Sequence, residues 1–247
     1  MRISGIKTHQ ITKGESLTGV LDKYVKSLKE ESIVAITSKI ISICESRIVK
    51  KDEYKTKYNL IAQEADAYLP SDSKDQDVHL TIKNNMIIPS AGIDESNGNG
   101  YYILYPKNIQ DTAYQIWRHI KHKHQINHLG IIITDSRTIP LKRGVVGCAI
   151  GWCGFNPIHN YTGTKDIFGR EMKITQINNL EAIAASAVFI MGEANEQMPI
   201  AVITELNRIA FSQTKPTKEE ESIINIPMKE DIYRPILSSV NWVWNKH

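Results

Sequence analysis

GIIITDSRTIPLKRGVVGCAIGWCG, running from Gly130 to Gly154, is the stretch from which this chain is best read. It opens on Ile131, Ile132 and Ile133, a β-branched apolar run that predicts a buried strand. Asp135 stands at the expected end of that strand, with the hydroxyl of Ser136 beside it. Two adjacent cations follow, Lys142 and Arg143, and then Gly144, Gly147, Gly151 and Gly154. A carboxylate at a strand end offers the hard oxygen that Mg²⁺ or Mn²⁺ prefers. Glycines near cations let backbone N–H groups approach an anion such as phosphate. A strand, a polar turn and a glycine-loosened second segment would read the same way. The stretch alone leaves both readings open.

The 247 residues suffice for a sizeable core and for one large or two small domains. An apolar share of 41% and a charged share of 23% are ordinary for a soluble globular protein. A formal charge of +3 gives no argument for nucleic acid or a membrane as partner. The opening MRISGIKTHQ lacks a signal-peptide core, and no apolar run has a spanning length. Cys44, Cys148 and Cys153 show no zinc-type pairing and are expected as reduced thiols in a cytoplasmic protein.

Outward from the central stretch, Leu17, Val20, Leu21, Tyr24, Val25 and Leu28 make one apolar helical face. SIVAIT, Ser32 to Thr37, predicts a strand, with Ser38 and Lys39 at the turn after it. Tyr58 to Leu69 predicts a helix ending before Pro70, and SDSKDQD a polar loop. His79 to Ile82 and Met86 to Ile88 are β-like. They lead to Asp94 and Asn97, oxygen-bearing side chains in a turn that Gly98 and Gly100 allow to be sharp. An ordinary acidic turn fits these residues equally.

Asn108 is placed to cap a helix whose buried face is Ile109, Ala113, Ile116, Trp117 and Ile120. That helix ends in His119, His122, His124 and His128 among lysines. Their spacing spreads them over several faces, which favours a solvated, cationic helix end over a metal site. The cluster lacks the interleaved aromatics of an RNA-binding surface. Tyr161 to Arg170 is a charged loop. Leu180 to Met191, apolar on most sides, predicts a buried helix stopped by Gly192. Glu193 follows, then the β-like PIAVIT. In the tail, Trp242 and Trp244 are expected to dock on the body.

Asp94, Asp135 and Glu193 thus each follow a regular element. At SAGIDESN (Ser90 to Asn97), ITDS with KRGVVGCAIG (Ile133 to Gly151), GTKDIFGRE (Gly163 to Glu171) and IMGEANEQMP (Ile190 to Pro199), the chain resembles the coenzyme F420-0:γ-glutamyl ligases. Weaker likeness at Gly5-Ile6-Lys7 and Thr37-Ser38 extends it over about residues 1 to 205. The resemblance implies an α+β fold of mixed sheets with packed helices, an intertwined homodimer, and a site shared between strand-end loops. It implies one catalytic unit over residues 1–214, followed by a C-terminal extension, 215–247.

The implied reaction joins L-glutamate to a carboxylate. It is driven by GTP or ATP with two divalent ions, Mg²⁺ or Mn²⁺, and K⁺ as a further candidate ion. Carried over residue by residue, the metal ligands fall on Asp94, Asp135, Ser136 and Glu193, with Ser136 standing where the family has threonine. Nucleotide contacts fall on Thr8, His9, Gln10, Ile11, Ser38, Lys39 and Asn97. They continue through Met191, Gly192, Glu193, Ala194, Asn195, Glu196, Gln197 and Met198. Arg143, with Lys142, is a candidate for phosphate contact.

Two departures bear on the acceptor. Ile43 stands where the family has lysine, and Thr138-Ile139 where it has Gly-Arg. Lys39 and Arg137 lie near enough to substitute. The typical acceptor, a deazaflavin coenzyme precursor, carries a phosphodiester, so fewer cations imply a less anionic one. A folate, whose tail offers the same γ-carboxylate, is the alternative, and a non-catalytic nucleotide-binding homologue is a third. Intact Asp94, Asp135 and Glu193 weigh against the last.

Overall fold

SIVAIT forms a strand over Ser32–Thr37, every residue of it buried except Thr37. It pairs in parallel with Leu129–Thr138, and the buried parts of both, Ser32–Ile36 and Leu129–Ile133, are covered on two sides and mostly apolar. The structure, a computed structural model, describes residues 1–70 and 78–245; the expected polar loop SDSKDQD lies outside them.

In chain order the strands are β1 (Arg2–Ile6), β2 (Ser32–Thr37), β3 (Ile48–Lys50), β4 (Ala67–Tyr68), β5 (Leu80–Lys83), β6 (Met86–Pro89), β7 (Tyr101–Ile103), β8 (Leu129–Thr138), β9 (Val145–Cys153), β10 (Ile158–Asn160), β11 (Gln176–Asn178), β12 (Ile200–Thr204) and β13 (Val243–Trp244). The helices are α1 (Leu17–Tyr24), α2 (Ser38–Cys44), α3 (Lys57–Glu64), α4 (Ile109–His124), α5 (Asn179–Met191), α6 (Lys218–Ser222) and α7 (Arg234–Leu237). The fold therefore mixes helices and sheets, as an α+β class requires.

The central sheet has the order β1-β12-β2-β8-β9, antiparallel except for β2 with β8. Side chains alternate across a strand, and the alternation builds two cores. Val34, Ile36, Ile131 and Ile133 point to the side of α1 and α4, where they meet Val20, Leu21, Ile116, Trp117 and Ile120. Ile33, Ala35, Ile132, Ala201 and Ile203 point the other way, onto Leu180, Ile183, Ala184 and Ala187 of α5. A smaller sheet, β13-β4-β5-β6, and the β3–β7 pair stand beside a third core of Leu60, Ile61, Ile93 and Leu104.

Within the first core the indole Nε1 of Trp117 donates to the carbonyl of Leu129 at 2.8 Å. Trp117→Phe removes a buried donor and some volume, which should cost about 1–3 kcal/mol. A lowered denaturation midpoint with an unchanged slope would show it. An unchanged midpoint would mean the indole contributes nothing there.

Several sequence expectations are corrected by the fold. The first helix ends at Tyr24, with Val25 as its cap, so Leu28 packs on the core from outside the helix. Ser38 and Lys39 begin α2 instead of forming a turn, with the Thr37 side chain accepting from Lys39 N–H. The helix expected from Tyr58 to Leu69 stops at Glu64, because Ala67 and Tyr68 are taken up by β5 and β13. Asn108 sits at the cap of α4, yet its side chain makes no cap hydrogen bond. Helix α5 is buried on the sheet side only: Phe189 is exposed. Tyr161 to Arg170 is part of an arm that β10 and β11 begin, carrying exposed Ile167, Phe168 and Ile174.

The C-terminal segment docks through its backbone and Asn245. β13 adds to the edge of β4, and Asn245 Nδ2 donates to the carbonyls of Ala62 and Ala65, both at 2.6 Å. The Trp244 ring is exposed, and Trp242 bonds within the segment, to Leu237 O. Among the described residues no helix is long and apolar enough to cross a membrane. The three cysteines are free, and burial pushes the thiols of Cys44 and Cys153 up to about 11 and about 12.

Candidate active site

Three loops, the start of one helix and one strand enclose a cavity of about 490 Å³. The loop after β1 supplies Thr8 to Ile11, and the start of α2 supplies Thr37 and Lys39. Asp94 and Asn97 come from the loop before β7, and Thr134 to Ser136 from β8. The segment between α5 and β12 supplies Gly192, Glu193 and Ala194, with Glu196 to Met198. Asp94, Asp135, Ser136 and Glu193 therefore share one cavity, although they lie up to a hundred residues apart in sequence. Met191 lines it too, whereas Ser38 is buried beneath, Asn195 faces outward, and neither lines the wall.

The loops are tied to one another. Thr8 N donates to Gln197 O at 2.9 Å, and Asn97 Nδ2 to Ala194 O at 3.1 Å. His9 is held by the Tyr24 hydroxyl and the Glu15 carboxylate. Glu196 folds back over Gly192, whose φ is +79°, and accepts from Ala194 N at 2.8 Å. Ahead of Asp94, Ser90, Ala91 and Gly92 all have left-handed φ, at 53°, 54° and 71°. A Cβ on Gly92 would lie 2.3 Å from the Tyr105 ring, so only glycine fits there.

Asp135 is not at a strand end. β8 continues to Thr138 and turns back as β9, with a bulge that leaves Ile150 unpaired between Ile133 and Thr134. The glycines expected to face an anion serve packing instead. A Cβ on Gly147 would come within 2.4 Å of Val188, and on Gly151 within 2.6 Å of Ile109. Lys142, Arg143 and Gly144 form the exposed hairpin tip and do not line the cavity. Ile139 is also exposed and away from it, whereas Ile43 lines it.

The electrostatics centre on Lys39. Its Nζ lies 2.6 Å from Asp94 Oδ2 and donates to Ser96 Oγ at 2.9 Å. Burial pushes the Asp94 carboxyl up, but Lys39 and two hydrogen bonds from Ser96 hold it below the usual carboxylate range. Burial raises Asp135 to about 6 against the pull of the Tyr105 hydroxyl, which donates to Oδ2 at 2.5 Å. Glu193 is raised by burial as well, against a hydrogen bond from Ser136 Oγ at 3.4 Å. Thr134 Oγ1 is buried in the same wall without a hydrogen-bond partner.

This donor set, three carboxylates and two hydroxyls, is all hard oxygen and suits Mg²⁺ or Mn²⁺ in kind. Among the described residues no three acidic, histidine or cysteine side chains are gathered closely enough to hold an ion as they stand. Lys39 supplies the compensating charge in this arrangement, and an ion would take that role from it at Asp94. Tyr105 escaped the sequence reading. Its one signal is a polar tip at the end of the apolar run YYILYP, which needs a buried partner. Of the histidines at and beyond the end of α4, His119 pairs with Asp22 at 2.7 Å and His128 with Glu30 at 3.5 Å.

The model of one protein family, F420-0:Gamma-glutamyl ligase, matches residues 5–205. The chain belongs to the F420-0:gamma-glutamyl ligase family. Curated relatives named coenzyme F420:L-glutamate ligase include one from Methanococcus maripaludis, 29% identical over 82% of this chain and 87% of that one. Another, from Methanopyrus kandleri, is 26% identical over 91% of this chain and 94% of its own length. A third, from Methanocaldococcus jannaschii, is 34% identical over 62% of this chain and 58% of its own length. In this member of the F420-0:gamma-glutamyl ligase family, a second cavity of about 880 Å³ opens on the far side of Tyr105. Arg137 lines it, two residues beyond Asp135 on the same face of β8.

Proposed function

We propose that the chain is a nucleoside-triphosphate-dependent ligase that joins L-glutamate to a carboxylate acceptor; its relatives are named as L-glutamate ligases. The observation that carries this reading is the shared cavity, into which separate segments bring Asp94, Asp135, Ser136 and Glu193 beside residues 8–11, 191–194 and 196–198. These are the positions where the resemblance puts the metal ligands and the nucleotide contacts. GTP is the preferred nucleotide in this reading.

A carboxylate is too poor an electrophile for direct amide formation, so it is activated first. An acceptor carboxylate oxygen attacks the terminal phosphorus, the bond to the bridging oxygen breaks, and nucleoside diphosphate leaves. The glutamate amine then attacks the acyl carbon. The carbon–oxygen bond to phosphate breaks, inorganic phosphate departs, and the amine loses a proton to solvent or a nearby base. Divalent ions, held by Asp94, Asp135, Ser136 and Glu193, would neutralise phosphate charge. Lys39 stands where it can meet the phosphates once released from Asp94. Purified chain given GTP, Mg²⁺, labelled glutamate and either a deazaflavin precursor or dihydrofolate should incorporate label. Label in neither product would sink the reading.

The folate alternative turns on Ile43, an apolar side chain where the family has a cation, but Ile43 lies in the wall of the smaller cavity among the proposed nucleotide contacts. Ile139, however, is exposed and away from both cavities, so a paired exchange of the two positions reduces to one. Ile43→Lys adds a cation one turn from Lys39 in the nucleotide cavity. It should lower the KM for GTP a few-fold and leave the preference between acceptors unmoved, which steady-state kinetics with both acceptors would read. A shift in acceptor preference would instead place the acceptor beside Ile43.

Assembly as a homodimer belongs to the same reading. The exposed Ile167, Phe168 and Ile174 of the β10–β11 arm suit burial against a second copy. Sedimentation at micromolar concentration would show a dimer, and a monomer there would count against it.

A further inference from the structure

The family match stops at residue 205, yet the chain beyond it is built into the larger cavity. Glu221, Ile224 and Asn225 form part of its wall, together with Tyr105 and Arg137. The segment is fastened on both sides of that wall. Ahead of it, Ser212 N donates to Gly154 O at 2.9 Å, and Lys215 Nζ meets Asp111 Oδ1 at 2.8 Å. Behind it, Asn85 Nδ2 donates to Ile226 O at 3.3 Å, and β13 with Asn245 closes on β4 and α3. A capping box between Thr217 and Glu220 starts the short helix that carries Glu221. Ile224 packs against the core cluster that contains Trp152 and Phe155.

The two cavities meet at Tyr105 and β8. Tyr105 lines the larger one, while its hydroxyl donates to Asp135, which lines the smaller. Reaction requires the acceptor carboxylate to come within about 3–3.5 Å of the terminal phosphorus. If the nucleotide fills the smaller cavity, the space one side chain away from Asp135 is where an acceptor can lie and still reach it. That space is the larger of the two, about 880 Å³ against about 490 Å³. Its size suits an extended acceptor better than free glutamate.

We propose that the larger cavity receives the body of the carboxylate acceptor. The C-terminal segment, through Glu221, Ile224 and Asn225, is then the wall that decides which acceptor fits. This rests on the ligase reading above. The wall also holds Arg47 and Arg137, paired with Glu64 and Glu181, and Lys83 and Lys107; Glu221 adds a carboxylate that offsets their pull on an acceptor carrying extra negative charge, such as a phosphodiester. Ile224 sets how far the cavity extends toward the sheet.

The test uses the whole chain with two substitutions, Glu221→Lys and Ile224→Trp, each checked for an unchanged melting curve. The probes are dihydrofolate and a phosphodiester-bearing deazaflavin, whose binding is read by quenching of tryptophan emission, and GTP, read separately. Glu221→Lys should favour the deazaflavin over dihydrofolate by about fivefold relative to wild type, the size of a partly exposed charge effect. Ile224→Trp should weaken both acceptors, and neither change should move GTP binding. Acceptors that bind wild type and both variants alike would overturn the assignment of the wall and leave the ligase reading standing. A wild-type chain that binds GTP but neither acceptor would overturn both.

Discussion

Asp135→Asn should slow glutamate ligation roughly a thousandfold while leaving the fold intact. The change is close to isosteric, and the amide oxygen can still accept the Tyr105 hydroxyl. What is lost is the charge that, in the proposed reaction, would hold a divalent ion against the phosphates. A loss of about 4 kcal/mol in transition-state stabilisation corresponds to that factor. Stability should hold or rise. Burial places the folded carboxyl at about 6, above its usual value, so the fold pays nothing for it while it is protonated. The cost of ionising it begins above about pH 4 and is complete once the pH has passed its folded value. The asparagine is free of that cost at neutral pH. Single-turnover rates and melting curves on the same preparation would decide the matter. Near-normal turnover would remove Asp135 from the chemistry, and a collapsed melting curve would make it a structural residue.

Gly154→Ala should produce the largest loss of stability. Gly154 has φ of +86°, and a Cβ there would lie 2.1 Å from Leu129 O and 2.2 Å from Trp117 Nε1. Those two atoms are already bonded to each other, so neither can retreat without breaking that bond. The left-handed backbone costs a side chain about 1–2 kcal/mol, and overpacking a buried site adds about 1–3 kcal/mol. For a chain of this size the sum corresponds to a fall in Tm of about 10 °C. A shift below 2 or 3 °C would mean that the first core yields more easily than its packing indicates, where about 2 °C is the effect of 1 kcal/mol.

Local patterning made β2, the start of β8, α5 and β12 legible, because each is a run of apolar residues whose length and side-chain type suit its element. The carboxylates of the site were legible for a different reason: SAGIDESN, ITDS and IMGEANEQMP are specific in type and order. What escaped was set by pairing between distant residues. Nothing in KYNLIAQEADAYL shows that Ala67 and Tyr68 will be claimed by strands at residues 81–82 and 243–244. Likewise, the glycines of β9 carry no mark of the helices that will press on them. Tyr105 sits in an apolar strand run and becomes a site residue only because the fold lays it against Asp135. Arg143 follows the motif in sequence, but the hairpin carries it to an exposed tip.

The insertion of β12 between β1 and β2 has a consequence for the nascent chain. β1 pairs with no strand but β12 among the described residues, and their partners run from Arg2↔Thr204 to Ile6↔Ile200. At ribosomal speeds of about 5–20 residues per second, residue 204 follows the first strand by roughly 10–40 s. During that interval β2, β8 and β9 can already pair, but the loop after β1 lacks its backbone bond from Thr8 to Gln197. The loop before β12 does not yet exist. Both are walls of the smaller cavity, so a partly synthesised chain exposes its acidic residues without enclosing a triphosphate. Completion of the sheet and acquisition of the cavity are one late event, and a ribosome stalled before residue 200 would carry a product without that cavity.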